Sequence, residues 1–485
     1  MSRPVHHHGP DTHMLARIAE EVMRDMKFLA HPPQDAIDQA ANVPDTPDAH
    51  GIVDLSKLLW TSIDNPESRD LDQIEVTEKI SEGIRLYVGI ADVDVYVPDG
   101  SPIDRFAHAN TTSVYTGVRT FPMLPDRLSF DVTSLIAERA RLAIVFETII
   151  KGDGSIGAHK SYRALVHNHA KLDYPSVSQW LDGGPIANGL QNRPDLQSQV
   201  RMQDELANVL HESRRRDGAL DVDTEQTRPV VENGEVTALV PQKQDRAGRI
   251  IEELMVATNR AVARELDAAK SPSIRRVVKQ PERWTKIALY AAERGMKLPA
   301  TPSSIELSKF VEKMRAERPA EFPEISLAIV KLMGRGEYVA HAPGSQEIGH
   351  FGLATMEYTH STAPNRRYVD LVTQRIVKKL GHGAAYSIDR LGEIATHASE
   401  REAAAEKVER RVHKSAAASL LRSRIGERFQ GIITGAADKG VFVRLFHPHA
   451  EGKIVKGQQG LRVGDKVTVM LRDTNVERGF IDFVI

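Results

Sequence analysis

The chain has 485 residues, 41% of them apolar and 27% charged, with no cysteine. That length exceeds a single core and implies roughly two to four soluble domains. The missing thiols exclude a disulfide scaffold and a thiolate metal site, and no apolar run reaches the ~20 residues that span a bilayer.

A net charge of −2 argues against a protein that coats nucleic acid indiscriminately, but it leaves room for a local basic channel. Met1 to Met14 is polar, with His6-His7-His8 and no apolar signal core, so the cytoplasm is the expected location and the histidine tract is read as incidental. Leu15, Ile18, Val22, Met23 and Met26 recur at helical spacing, which predicts an amphipathic helix over 14–28. His31-Pro32-Pro33 ends it, and a second short helix runs from Gln34 to Val43. The pair has the size of a helix-turn-helix or of a small helical lid. A regulator reading DNA through it would need a basic recognition helix, and Gln34 to Val43 holds no Lys or Arg.

From Ile52 short apolar strands take over: Ile84 to Ile90, Val93 to Val97, and Leu142 to Ile149 followed by the turn Gly152-Asp153-Gly154. Helical segments dominate afterwards, over 197–214, 249–270, 281–295, 323–332 and 366–380. Strands first and helices after predict an α+β fold with a mixed α/β central domain. Ser399 to Ser423 is charged and alanine-rich and reads as a connecting helix. The tail shows about five short strands with turn residues between them, the pattern of an all-β OB-fold barrel. From Arg424 onward it carries ten Lys and Arg against seven Asp and Glu, a net +3 that suits phosphate tracking. Phe429 and Phe442 there either stack bases or fill the barrel, and Phe446, beside His447 and His449, is expected at the surface. Three parts follow: a helical N-terminal region, possible as a helix-turn-helix, over 1–50; a catalytic domain over 51–422; and an OB-fold barrel over 423–485.

One run carries chemistry. Thr61-Ser-Ile-Asp64-Asn-Pro-Glu67-Ser-Arg69-Asp70-Leu-Asp72-Gln73 packs four acids and an arginine into ten residues directly after an apolar segment. Hard divalent cations take oxygen ligands, and Mg²⁺ is usually held by one or two carboxylates with waters and substrate phosphate completing the shell. That is the donor set of metal-assisted phosphodiester hydrolysis. The plain alternative is a charged loop capping a helix.

Four stretches, in order, give this run a context. They are the acidic run itself; Val88-Gly-Ile-Ala-Asp92-Val through Ser113-Val-Tyr115 to Phe121-Pro-Met-Leu-Pro-Asp-Arg-Leu-Ser; Arg249-Ile-Ile-Glu252-Glu253-Leu-Met-Val-Ala-Thr-Asn259; and Ile348-Gly-His350-Phe-Gly-Leu followed by Tyr358-Thr-His360-Ser-Thr-Ala-Pro364-Asn-Arg366-Arg367-Tyr368-Val-Asp370. Together they resemble the ribonuclease II family, which includes ribonuclease R, over about residues 51–485, with an S1-type domain as the tail. The resemblance implies an exonuclease that hydrolyses single-stranded RNA processively from its 3′ end to nucleoside 5′-monophosphates; a monomer is expected. It implies Mg²⁺ at Asp64, Asp70 and Asp72, and a catalytic arginine at Arg366. A guanidinium, a permanent planar cation, suits the charge that develops on a transferring phosphoryl group. The resemblance also gives Tyr115 a contact with the terminal nucleotide and Tyr174 a base to stack on. It assigns one of Glu252 and Glu253 to a ribose 2′-hydroxyl, sets Glu409 near the RNA, and makes Arg367 a second cationic contact. His350 and His360 are expected to be structural rather than metal ligands.

The departures from the family pattern are informative. The family's acidic run ends in a further aspartate where this chain has Gln73. An amide carbonyl can still ligate Mg²⁺, but one negative charge is lost. Gln226-Thr-Arg-Pro229-Val offers no aromatic partner for Tyr174. The N-terminal region reads as helix instead of the family's cold-shock barrels, which predicts better access for RNA with duplex regions. A rival reading, motivated by Gln73, is a catalytically impaired RNA-binding protein of the same fold. A simple Mg²⁺-dependent phosphatase would leave the RNA-binding tail without a purpose.

Overall fold

A computed structural model describes residues 10–485 except 46–47, 223–225, 233, 243–244, 320 and 438–439; the histidine tract at 6–8 lies outside them. Two helices, α1 (Pro10–Asp25) and α2 (Gln34–Ala41), precede the strands β1 (Val53–Asp54), β2 (Thr61–Asp64), β3 (Gln73–Ile80) and β4 (Gly83–Ala91). Then come α3 (Pro102–Asn110), the short pair β5 (Val114–Tyr115) and β6 (Thr120–Phe121), and β7 (Ala140–Ile150), β8 (Ile156–His167) and β9 (Ala170–Asp173). These strands other than β5 and β6 form one seven-stranded mixed sheet in the order β1-β8-β7-β4-β3-β2-β9. Apolar alternation on β4 and β7 continues across the ladder, where Val88 faces Phe146 and Ile90 faces Ile144, all buried. The hairpin into β4 turns at Gly83 with φ of 143°, where an added Cβ would lie 2.2 Å from the Ile150 carbonyl, so only glycine fits. Val93–Val95 is a 3-10 turn rather than the expected strand. Its carboxylates are drawn into an ion network, described below, in place of a ladder.

The helices α4 (Tyr174–Leu181), α5 (Pro194–Arg216) and α6 (Arg246–Ala268) cover one side of the sheet, after which α7 (Trp284–Ala292), α8 (Ser304–Glu317) and α9 (Phe322–Met333) make a satellite core of their own. Two hairpins intervene: β10 (Gln226–Glu232) with β11 (Glu235–Gln242), and β12 (Ser273–Val277) with β13 (Glu337–His341). The chain then runs through α10 (Tyr368–Lys378) and the 34-residue α11 (Ile388–Leu421). It ends in β14 (Arg428–Ala437), β15 (Gly440–Leu445), β16 (Glu451–Lys456), β17 (Lys466–Asn475) and β18 (Phe480–Val484), which close as β14-β15-β16-β18-β17, the expected five-stranded barrel. Phe429 is core, edge-on to Phe483, while Phe446 is exposed as anticipated. α1, α11 and the barrel share one apolar core, whereas α2 packs beside α3 in the core of the large sheet.

α10 fixes the segment before it, and it is itself anchored by charge. Arg375 is buried and donates to Asp94 (2.9 Å), Asp104 (2.8 Å) and the Val97 carbonyl (2.6 Å), while Lys378 reaches Asp92 and Asp94. Removing one partner of a buried ion network leaves an uncompensated charge, a cost of about 3–5 kcal/mol. Arg375→Ala should lower the unfolding free energy by that amount in urea melts; a loss below about 1 kcal/mol would show that the network contributes little.

Candidate active site

The acidic run forms the loop between β2 and β3. Asp64 ends β2 and closes the turn on itself, its Oδ1 accepting from the Asn65 amide (2.7 Å) and the Ser68 hydroxyl (2.6 Å). Lys171 of β9 donates to the carbonyls of Pro66 and Ser68. Ser134 bonds both the Leu71 amide and the Arg69 carbonyl, and the Leu71 side chain is buried in the core. Leu71 therefore pins the loop from below, with the carboxylates Asp70 and Asp72 on either side of it in sequence.

Asp72 is 1% exposed. Its Oδ1 accepts from the Asn365 amide at 2.8 Å and its Oδ2 from Arg366 Nε at 3.2 Å. Asn365 is itself fixed by Thr133, which donates to its side-chain oxygen (2.6 Å) and accepts from its amide through a carbonyl (3.1 Å). Burial pushes the Asp72 carboxyl up to about 7, even though Arg366 and the Asn365 amide pull the other way. Burial raises Asp64 as well. Arg366 keeps 42% of its side chain exposed and stands at the mouth. Arg367 is turned inward instead, forked onto Asp370 at 2.9 and 2.7 Å, and Asp370 also holds the Ala363 amide. Asp370 thus holds the fork of the arginine expected as a second RNA contact.

Tyr115 reaches the loop from across the site. Residues 111–113 bridge 366–368 through Ser113 N to Arg366 O (3.0 Å) and Tyr368 N to Thr111 O (2.8 Å), which sets Tyr115 beside Arg366. The Tyr115 hydroxyl donates to Asp70 Oδ2 at 2.5 Å, and its amide donates to Glu409 of α11 at 3.0 Å. Burial, then Asp70, hold that hydroxyl well above the ordinary tyrosine range, so it remains a donor. Glu409, raised by burial, thus ties the connecting helix to the acidic loop. Tyr174 begins α4 directly after Asp173, and Asp173 pairs in register with Asp64. Its hydroxyl is raised by burial, then by Asp64 and Glu75.

Glu253 is 1% exposed and fully engaged by His211 (2.8 Å) and Arg214 (2.7 and 2.6 Å). Glu252 is 42% exposed and lines a cavity. Gln73 opens β3, buried opposite Ile90, with no side-chain hydrogen bond among the described residues. Glu75, which sequence reasoning passed over, lies two residues further on the same strand face. It is fully buried, neither carboxylate oxygen has a partner, and burial and then Asp64 hold it well above the usual range. A carboxylate within a strand buried on both faces was the signal available for it.

A Mg²⁺ site fits this donor set of hard oxygens, two of whose carboxyls are raised by burial that a cation would offset. The fit is to one or two carboxylates with waters. The oxygens of Asp64, Asp70 and Asp72 do not all come within 4.8 Å of one another; among the described residues the trio that does is Asp267, His341 and Glu347. There Arg275, buried, already donates to Asp267, so that trio has its cation. His350 and His360 are structural: His350 Nδ1 accepts from the Leu353 amide, and His360 hydrogen-bonds Tyr338 and packs on Tyr358.

These features define a mixed α/β domain whose acidic mouth is completed by an arginine, followed by an OB barrel. Residues 52–383 match the RNB domain and residues 427–485 the RNase II-type exonuclease C-terminal S1 domain. The chain is 32% identical to ribonuclease R 1 of Lactococcus lactis over 441 residues, 88% of this chain and 53% of that protein. It is 30% identical to ribonuclease R of Thermotoga maritima over 502 aligned positions, 96% of this chain and 69% of that protein. Mycoplasma genitalium RNase R in complex with ribose methylated single-stranded RNA superposes with a TM-score of 0.87 at 24% identity, over 98% of this chain and 78% of that one. The chain thus spans about half to two thirds of the length of these curated relatives. It belongs to the RNB family of ribonuclease II and ribonuclease R. No helix among the described residues is long and apolar enough to cross a membrane.

Burial lowers His350 to about 4 and His360 well below the ordinary histidine value. Between about pH 4 and 6.5 the unfolded chain takes up a proton that the folded His350 refuses. Its contribution to stability is therefore complete above about pH 6.5 and is lost as the pH falls toward 4. The melting temperature should drop between pH 7 and 5, and His350→Gln should flatten part of that slope. Superimposable pH profiles for the two proteins would refute the assignment.

Proposed function

We propose that this chain is a Mg²⁺-dependent 3′-to-5′ exoribonuclease that degrades single-stranded RNA processively to nucleoside 5′-monophosphates. The observation that carries the reading is the buried Asp72 carboxylate, held between the Asn365 amide and the Arg366 guanidinium at the end of an acidic loop. A divalent cation held directly by one or two of Asp64, Asp70 and Asp72, with waters and the Gln73 carbonyl as neutral ligands, would make a bound water acidic enough to attack and would offset phosphate charge. Arg366, exposed at the mouth, is oriented by Asp72 toward the charge that builds on the phosphoryl oxygens. Tyr115 holds Asp70 and, with Tyr174, flanks the place of the terminal nucleotide. Glu252, bonded to Arg214 at 3.1 Å but exposed on a cavity wall, is better placed than the buried Glu253 to accept from a ribose 2′-hydroxyl, the group that separates RNA from DNA. Glu409 acts through Tyr115. The parts fall at 1–50, 51–422 and 423–485, the last boundary coming just after α11 ends at Leu421. Action as a monomer in the cytoplasm completes the reading.

Gln73 supports one rival, a protein of this fold that binds RNA without cutting it. A carboxylate at that position would have added a negative charge where only Asp64, Asp70 and Asp72 now supply it.

A 5′-labelled single-stranded RNA with Mg²⁺ or EDTA separates the two. Shortening from the 3′ end that requires Mg²⁺ and is lost in Asp72→Asn is expected. Arg366→Ala should slow it on the order of 10²–10³-fold, the size of losing one transition-state cation or donor. RNA that shifts in a binding gel but stays intact would establish the rival.

A further inference from the structure

A second cavity, of about 200 Å³, opens between the last turn of α5, residues 219–222, the first turns of α6, and α8. Its wall carries four guanidiniums, Arg214, Arg215, Arg249 and Arg315, against two carboxylates, Asp221 and Glu252. Three of the arginines are committed: Arg214 to Glu253 at 2.6 Å and to Glu252 at 3.1 Å, Arg215 to Glu312 at 2.7 Å, and Arg315 to Asp221 at 2.9 Å. Arg249 is half-buried and has no side-chain hydrogen bond or ion pair among the described residues. An unpaired guanidinium facing like charges across a concave wall is electrostatically unfavourable until an anion enters, and such a wall focuses the field on one. A phosphate group fits inside this volume with room for the adjoining sugar, and it suits the guanidinium fork.

The position of the cavity says which phosphate. Asp245 caps the N-terminus of α6, and its charge bears on the Tyr174 hydroxyl, so the start of α6 lies by the mouth that holds Asp64. At 1.5 Å per residue, Arg249 is about 6 Å and Glu252 about 10 Å further along the helix axis. Three apart, the two share a helix face. A strand that leaves the mouth along α6 meets a free cation and then an acceptor, in the spacing of a backbone phosphate beside a ribose hydroxyl.

We infer that this cavity is a phosphate subsite for the RNA backbone upstream of the scissile bond, with Arg249 as its gripping residue. This rests on the reading of RNA as the substrate, and it adds a site for a part of the strand that the acidic mouth does not touch.

The test uses the full chain with Asp72→Asn, so that RNA is bound and not consumed, and a fluorescent single-stranded RNA. Arg249→Gln should weaken binding roughly tenfold or more, as for a lost hydrogen bond to a charged group. It should also make the slope of log affinity against log salt shallower by about 0.7, the value for one phosphate on a single strand. A scan of single uncharged methylphosphonate linkages should find one position that weakens binding to the Arg249 protein and makes no difference once Arg249→Gln is present. Arg249→Lys should retain part of the effect, which separates charge from a general loss of structure. An unchanged salt slope, with every neutral linkage adding independently to Arg249→Gln, would overturn the subsite while leaving RNA binding intact. Failure of the Arg249 protein to bind RNA at all would overturn the substrate reading and the subsite together.

Discussion

The contact on which the site depends joins residues almost three hundred positions apart. Asp72 is taken out of water and given two partners, the Asn365 amide and Arg366. A buried carboxylate is costly unless it is hydrogen-bonded and paired, so the segment 363–367 has little freedom in where it sits. Thr133 fixes Asn365, Asp370 fixes Ala363 and Arg367, and residues 111–113 pair with 366–368. Each restraint acts on backbone or on a neighbour of Arg366. The guanidinium itself stays at the mouth with a single orienting bond, able to meet a substrate.

The same economy governs the two adjacent arginines. Arg367 and Arg366 have the same chemistry, yet Asp370, buried and three residues on, captures one in a fork and leaves the other. On α6, Arg214 holds both Glu252 and Glu253, but His211 and burial enclose Glu253 while Glu252 stays exposed on a cavity wall. In both pairs it is burial that separates two like neighbours, enclosing one and leaving the other where solvent and ligand can reach it.

A second line of restraint reaches the acidic loop from the C-terminal half. Glu409 on α11 holds the Tyr115 amide, and the Tyr115 hydroxyl holds Asp70. α11 shares its apolar core with α1 and with the barrel. The orientation of Asp70 is thereby connected, through packed and hydrogen-bonded groups, to the position of the nucleic-acid-binding type of barrel. Because Tyr115 remains protonated, it donates to a carboxylate that a cation would also attract, so its hydroxyl helps set how much negative charge Asp70 can offer.

Much of this was legible in the chain before any fold was known. Apolar alternation marked β4 and β7, helical periodicity marked α1, α5 and α6 to within a few residues, and five short turn-bounded runs marked the barrel. The acidic run stood out because hard-oxygen chemistry is written in residue type and spacing, and Arg366 because its surrounding motif resembles that of the ribonuclease II family. What local pattern does not encode is which of two like residues is neutralised by a distant partner. The 3-10 turn at Val93–Val95 arises because Asp92 and Asp94 find Lys378 and Arg375, far away in sequence. The inward Phe429, the unpartnered carboxylate of Glu75 and the uncommitted cation of Arg249 are likewise outcomes of packing. Sequence determined the inventory of charges and the elements that carry them; tertiary structure decided which charges are spent on one another and which remain, because pairing energy depends on distance and burial, and both exist only once the chain has folded.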